Sequence, residues 1–449
     1  MSDALLRRFS RPVPRYTSYP TAPHFHPGVD QETYARWLGE IPADTALSLY
    51  LHVPFCDRLC WFCGCHTKQV ARYAPIAAYL PMLRREMETV AGLLDGAGRT
   101  TALHLGGGSP SMLRAEDLLD LVATIRRNFT IADNFEFSLE IDPNDVSAPD
   151  YDGLAAAGVS RISIGVQDFN DKVQQAINRI QTFDQTKAVV DGMRARGVNS
   201  VNLDVLYGLP HQTLETIGTT VDQALSLNPE RIALFGYAHV PWMKTHQKMI
   251  DESVLPGPEA RLEQSLAAAR KILDAGYIAI GIDHFARPDD GLARAAAAGE
   301  LHRNFQGYTT DAAPALLGFG ASSVGSLPQG YVQNTVPTGD YMRQVAVTGL
   351  ATGRGVALSE EDRMRRWVIE RLMCDFEVPV SELGTRFGPL ADQVLDQMQA
   401  AASADEDGVV DFDGTTFRVT DTGRPFVRSV AAGFDSYLGN GAGRHSAGV

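Results

Sequence analysis

Residues 46–69 read ALSLYLHVPFCDRLCWFCGCHTKQ, and they decide the fold. The first eight alternate apolar and small or aromatic residues in the manner of a buried β-strand. Directly behind that strand come Cys56, Cys60, Cys63 and Cys65, in a C-x3-C-x2-C-x-C spacing. Four of the five cysteines in the chain therefore lie within ten residues, on one loop at the C-terminal end of one strand. The fifth, Cys374, sits in the apolar stretch VIERLMCDFEV and reads as an inert core thiol. The opening residues carry basic side chains with no apolar run behind them, so nothing marks the chain for export. Without an oxidising destination, clustered thiols read as a metal site, not a disulfide framework. One candidate is zinc held by four thiolates. Zinc knuckles, however, usually draw their ligands from two separated pairs, and a ten-residue loop would struggle to wrap one ion. The other is an iron–sulfur cluster held by three thiolates, which leaves one iron open to an external ligand.

Working outward from this strand, the same rhythm repeats to about residue 285. Strands are expected at 46–53, 101–108, 135–142, 161–167, 201–209 and 231–237. Amphipathic helices are expected at 83–94, 115–128, 185–197 and 216–227. Alternating strands and helices imply right-handed βαβ units around a parallel sheet, here six units, fewer than the eight of a closed barrel. Residues 258–281 add a strong helix and a further strand. Gly106–Gly108, Glu140, Gln167 and Asp204 all fall at strand C-terminal ends, where such sheets place their ligands. Beyond about 355 the pattern becomes helix, helix and hairpin, the outline of a winged-helix module, and the last eleven residues are Gly-rich. The expected architecture is α/β: a partial (β/α)6 barrel with extra strands at 46–350, behind a lid-like extension at 1–45. A small, mostly helical, winged-helix-like domain at 351–438 and a disordered tail at 439–449 complete it.

Composition narrows the function. The 449 residues suit two or three domain-sized units at about 150 residues each. A formal net charge of −14 argues against a general phosphate-backbone binder. No apolar run approaches the roughly 18 residues of a membrane span. The chain reads as cytoplasmic, with no nucleic-acid or membrane partner.

The C-x3-C-x2-C spacing, with an aromatic residue before the third cysteine, resembles the radical SAM superfamily. Further blocks extend the likeness from about residue 14 to 438: PRYTSYPTA (14–22), LYLHVPFC (49–56), GVQDFN (165–170), YGLP (207–210), GIDHFARPDD (281–290) and HRNFQGYTT (302–310). Together they resemble the oxygen-independent coproporphyrinogen III oxidase family. That resemblance implies a [4Fe–4S] cluster on Cys56, Cys60 and Cys63, with two molecules of S-adenosylmethionine bound nearby. Tyr50, Phe62, Gly107, Gly108, Ser109, Glu140, Gln167, Arg179, Asp204, Ala238 and Val324 match the family's cofactor-contact positions. Cys65 matches a fourth, non-ligand cysteine with a catalytic part. The implied reaction converts two propionates of coproporphyrinogen III to vinyl groups by a 5′-deoxyadenosyl radical, giving protoporphyrinogen IX in haem biosynthesis. An unidentified low-potential electron donor, an electron acceptor and a monomeric state are expected with it.

Each SAM-site position also has a plain structural reading: a tight turn for the glycines, a solvated loop acid for Glu140 or Asp204. Arg15, Lys68, Arg161 and Arg303 are candidate propionate partners because they lie in or beside these blocks. The chain departs from the family pattern at Ser109, where threonine is expected, and in its short tail after Tyr437. A rival reading, a haem-binding chaperone of the same superfamily, is expected to lack the fourth cysteine and to carry a His-Asn-x-x-Tyr-Trp motif. Here Cys65 is present and no His-Asn dipeptide occurs.

Overall fold

The computed structural model describes residues 8–9 and 12–439. Its centre is a twelve-stranded mixed sheet. Six strands follow the expected rhythm: β1 (Ala46–Val53), β2 (Arg99–Gly107), β3 (Ile131–Ile141), β4 (Arg161–Gln167), β5 (Ser200–Tyr207) and β6 (Arg231–Gly236). All pair in parallel, in sequence order. Beyond β6 lie two short antiparallel strands, β7 (Ile278–Ile280) and β8 (His284–Ala286), with β8 against β6. On the other side of β1 come β9 (Ala315–Phe319), β10 (Val324–Leu327), β11 (Gly330–Asn334) and β12 (Thr352–Ala357). β9 pairs with β1 in parallel, so the sheet holds a seventh parallel strand in addition to the expected six.

The period of two along these strands explains the layering. Leu103, Leu105, Phe137, Leu139, Ile162, Ile164, Leu203 and Val205 are almost fully buried and belong to the main core cluster with residues of the covering helices. The alternate positions, Ser48, His104, Ser138, Glu140, Ser163, Asn202 and Asp204, line one cavity of about 540 Å³. Strands β1 to β6 all contribute to it, so the sheet bends around it as a partial barrel.

The first crossover helix, α1 (Ala74–Leu94), starts nine residues before the expected 83. Pro81 lies inside it and breaks the sequence pattern, since proline removes a hydrogen bond and crowds the preceding turn. Burial of Ile76, Tyr79, Leu80, Leu83, Met87 and Val90 outweighs that cost. One polar side chain breaks the apolar face of α1. Glu86, 1 % exposed, accepts hydrogen bonds from Gly320 N (2.8 Å), Asn334 Nδ2 (2.6 Å) and Tyr341 Oη (2.7 Å). It thereby ties α1 to the turn after β9, to β11 and to the helix Thr338–Thr348.

The C-terminal module is a helix, α2 (Glu360–Asp375), capped reciprocally by Ser359 and Asp362, followed by shorter helices at Val380–Phe387 and Asp392–Ser403. Strands Val410–Phe412 and Thr416–Val419 form the expected hairpin, and Glu377–Pro379 adds a third strand. The boundary expected at 350 cuts through the sheet's edge: Thr352–Ala357 pairs with β11, so the small module begins after it. From residue 12 onward the N-terminal extension is stitched down. Tyr16 and Tyr19 lie in the small module's core, and the helix Gln31–Gly39 packs Trp37 and Leu38 into the main one. The expected tail lies outside the described residues from position 440 on.

Candidate active site

The cysteine loop is closed at its base by two short parallel segments, Phe55–Cys56 and Lys68–Gln69. Lys68 N donates to Pro54 O at 2.7 Å and Val70 N to Cys56 O at 2.9 Å. Distant segments grip the loop between them. Trp61 N donates to Ile177 O (2.9 Å) and Asn178 Nδ2 to Leu59 O (2.9 Å). From the other side Lys244 Nζ donates to Cys65 O (2.9 Å), His246 Nε2 to Cys63 O (2.8 Å) and Gln247 Nε2 to Phe62 O (3.0 Å). A loop without secondary structure of its own is thus fixed at five carbonyl or amide positions.

Cys60 is buried, Cys56 and Cys63 are half-buried, and Cys65 is exposed. Burial pushes the Cys56 and Cys60 thiols up, so as free thiols both stay protonated at neutral pH. The countervailing charge is Arg179, whose Nη1 lies 3.8 Å from Cys60 Sγ and 2.6 Å from Asp142 Oδ2. Arg179 also donates to Gly165 O (3.0 Å) and Gln181 Oε1 (3.1 Å), which fixes its fork beside the loop. Cys65 N donates to Cys63 Sγ at 3.4 Å. Three thiols on one clamped loop, beside a buried guanidinium, suit a thiolate-bound cluster and its negative charge.

Behind the loop a row of polar side chains crosses the barrel. Tyr50 stacks on His104 (5.7 Å between ring centroids) and donates to His52 Nδ1 (2.9 Å). Burial lowers the His52 pKa to about 4, so its ring is neutral and its Nε2–H donates to His66 O at 2.9 Å. His104 bridges Ser138 (2.6 Å) and Glu140 (3.2 Å), and Gly107 N donates to Glu140 at 3.0 Å. Against the cost of burial, His104 and Gly107 hold the Glu140 carboxyl below its ordinary range. Asp204 behaves oppositely: burial and the Glu140 charge push it up to about 6, although Asn202 (2.8 Å) and Ser163 (3.2 Å) donate to it. Two carboxylates in one cavity thus titrate apart, and such divergence is common at functional sites.

Of the candidate positions, Glu140 and Asp204 line the barrel cavity, and Tyr50 stacks on His104 beside them. Tyr50, Glu140 and Asp204 lie on the alternate strands β1, β3 and β5, and Gln167 ends β4 in the left-handed region, at φ 63°. Val324 is brought in from far along the chain: its carbonyl closes over Gly318, which pairs with Tyr50. Phe62 packs with the apolar group around Val173, Ile177 and Leu209, and Ala238 O accepts from Gln247. The glycine turn has a reason beyond ligand approach. Gly107 has φ +112°, and a Cβ there would sit 2.4 Å from the His52 ring; one on Gly108 would meet Phe55 O at 2.6 Å. The Ser109 hydroxyl is buried, bonding to Asp145 and Ser111. Of the four candidate cations, Lys68 is exposed and Arg161 lies inside the barrel, 3.3 Å from Glu136.

The residues that sequence reasoning missed are His52, His104, Asp142, Ser163, Asn202 and the clamps at 178 and 244–247. For the strand residues a signal existed: polar side chains recur at every second position, as in Ser138, Glu140 and Asp142 or Asn202 and Asp204.

Comparison with known proteins accords with this geometry. A family model described as Radical SAM superfamily matches residues 50–224, and one described as HemN C-terminal domain matches 358–426. The oxygen-independent coproporphyrinogen III oxidase of Bradyrhizobium diazoefficiens is 47 % identical, covering 97 % of both chains. That of Escherichia coli is 38 % identical over 97 % of this chain and 95 % of its own. The solved structure of the Escherichia coli coproporphyrinogen III oxidase HemN, described as a radical SAM enzyme, superposes with a TM-score of 0.92 at 37 % identity, covering 98 % of this chain and 99 % of that one. The similarity thus runs over nearly all of both chains, and this chain belongs to the oxygen-independent coproporphyrinogen III oxidase family of radical SAM enzymes.

Proposed function

We infer that this chain catalyses the oxygen-independent oxidative decarboxylation of coproporphyrinogen III to protoporphyrinogen IX, a step of haem biosynthesis. The observation that carries it is the near-complete coverage of oxidases of that name, at up to 47 % identity, by a chain that presents three thiols on one clamped loop. Bound there, a [4Fe–4S] cluster and S-adenosylmethionine supply a 5′-deoxyadenosyl radical, strong enough to take a hydrogen atom from an unactivated propionate carbon. Each propionate then loses CO₂ and one electron to an acceptor, leaving a vinyl group.

On this reading Cys56, Cys60 and Cys63 are the cluster ligands, and Cys65, exposed two residues further on, serves the reaction without binding metal. Arg179 offsets the thiolate charge, and Asp142 holds it in place. Glu140 and Asp204 face the cavity as acceptors for ribose hydroxyls, with Tyr50 and His104 stacked beside them. Phe62, Gly107, Gly108, Ser109, Gln167, Ala238 and Val324 complete the cofactor contacts. Two S-adenosylmethionine molecules, an external low-potential donor, a monomeric state without nucleic-acid or membrane partners, and a cytoplasmic setting belong to the same proposal. Among the described residues no helix is long and apolar enough to cross a membrane.

The test is an anaerobic assay of the reconstituted protein with coproporphyrinogen III, S-adenosylmethionine and a low-potential reductant, read by mass spectrometry. Stepwise loss of two carboxyl groups, abolished by Cys56→Ala, is expected. Cleavage of S-adenosylmethionine with the porphyrinogen untouched would overturn the substrate assignment.

A further inference from the structure

A second cavity, of about 620 Å³, opens beside the barrel between β6, the helix Pro258–Asp274 and the C-terminal module. Five arginines line it, Arg15, Arg261, Arg303, Arg424 and Arg428, against a single carboxylate, Asp283. In a chain of net charge −14 this concentration of cations is an anomaly. Asp283, held by His284 Nδ1 at 2.6 Å, offers one negative charge against the five guanidiniums. Arg15, Arg261 and Arg303 form no ion pair among the described residues. Their hydrogen bonds go to carbonyls: Arg15 to Gly236 O (3.2 Å), Arg261 to Tyr237 O (2.8 Å) and Arg303 to Arg15 O (3.4 Å). Arg303 Nε and Nη1 are buried with no hydrogen-bond partner, the guanidinium lying over the Tyr308 ring at 4.5 Å. Buried guanidinium donors left unmatched are costly unless an anion completes them.

The cluster is also organised. Arg428 donates to Val13 O (2.6 Å) and Pro14 O (3.2 Å), so it fixes the N-terminal segment that presents Arg15. Burial and the neighbouring Arg15 and Arg303 charges push Arg428 down to about 10, a measure of like charges held together. Phe235 and His284 line both this cavity and the barrel cavity that holds Glu140 and Asp204. The two cavities therefore meet at that pair of side chains.

We propose that Arg15, Arg261 and Arg303 form the carboxylate-binding seat for the tetrapyrrole, gripping propionates that are not reacting while another is presented at the Phe235–His284 junction, with Arg428 as a positioning residue. This rests on the function proposed above and adds how the substrate is recognised. It also gives the N-terminal segment a part in binding, and it selects Arg15 and Arg303 from the four cations suggested by sequence.

The test titrates the reconstituted protein with coproporphyrin III, the stable fluorescent relative of the substrate, and with its uncharged tetramethyl ester. Arg15→Gln, Arg261→Gln and Arg303→Gln should each weaken coproporphyrin binding by about tenfold or more, as loss of a charge-assisted hydrogen bond requires. Arg303→Lys should recover part of the loss, and the ester should bind weakly to every form. Arg418→Gln, in the exposed Arg418–Asp413 pair of the small module, should change nothing. Iron content after reconstitution should match the wild type in every variant, which shows that the fold and the thiol loop are intact. Arg15 is exposed, so its substitution leaves folding intact even if a buried variant does not. Wild-type affinity in Arg15→Gln, or ester binding as tight as that of the free acid, would overturn the seat while leaving the oxidase reading standing. A wild type that decarboxylates no coproporphyrinogen would overturn that reading first.

Discussion

Replacing Glu86 by glutamine should change how stability depends on pH. Glu86 is wholly enclosed, and burial pushes its carboxyl from the ordinary 4.5 up to about 7, even with donors at Gly320, Tyr341 and Asn334. Because the folded pKa is raised, the folded state holds the proton more tightly than the unfolded chain. The contribution is therefore fully present below pH 4.5 and is lost as pH climbs through 7. A shift of about 2.5 units at about 1.4 kcal/mol each makes the loss about 3 kcal/mol. Glutamine does not titrate and can accept from Gly320 N and Tyr341 Oη through its carbonyl oxygen, while its amide faces a rotated Asn334. Equilibrium urea unfolding of both proteins between pH 5 and 8 isolates the effect, since all other titrating groups cancel in the difference. The Glu86→Gln variant should gain on the wild type steadily with pH, by about 2–3 kcal/mol across that range. A constant offset between the two curves would instead mean that Glu86 ionises as readily in the folded protein as in the unfolded one.

Three further outcomes follow from the site. Arg179→Met leaves Asp142 buried without its cation and should cost about 3–5 kcal/mol in urea unfolding; Asp142→Asn added to it should cost less than the sum of the two alone. Gly107→Ala places a Cβ against the His52 ring at a φ of +112°, so it should destabilise by about 2 kcal/mol or more and weaken S-adenosylmethionine binding in calorimetry. Cys374→Ser lies among Ile280, Leu292 and Tyr308, far along the chain from the thiol loop. It should leave iron content after reconstitution at the wild-type level, while Cys60→Ala should not.

Much of this architecture is legible in the sequence because the βα rhythm has a strong periodicity. The six strands from Ala46 to Gly236 appear where apolar alternation puts them, and the four thiols stand out by spacing alone. What escaped reading depends on contacts distant in sequence. Ala315–Phe319 is five residues long and wholly buried, a run that periodicity cannot separate from a helix fragment, and only its pairing with β1 makes it a strand. Pro81 hid the first two turns of α1 because tertiary burial overrode a local penalty. Asn178 and His246 carry no motif; they matter because folding brings them to the carbonyls of Leu59 and Cys63. The edge strand Thr352–Ala357 falls inside the expected small module at 351–438, and only its pairing with Gly330–Asn334, upstream in the chain, places it in the main sheet.

On the proposed function, the thiol loop holds the cluster that generates a carbon radical from S-adenosylmethionine, and that radical acts on a propionate. This is tested most directly with coproporphyrinogen III deuterated at the propionate carbon next to the ring, under anaerobic turnover. One deuterium should appear in 5′-deoxyadenosine for each vinyl group formed, and Cys63→Ala should abolish both. Vinyl formation with unlabelled 5′-deoxyadenosine would contradict the account.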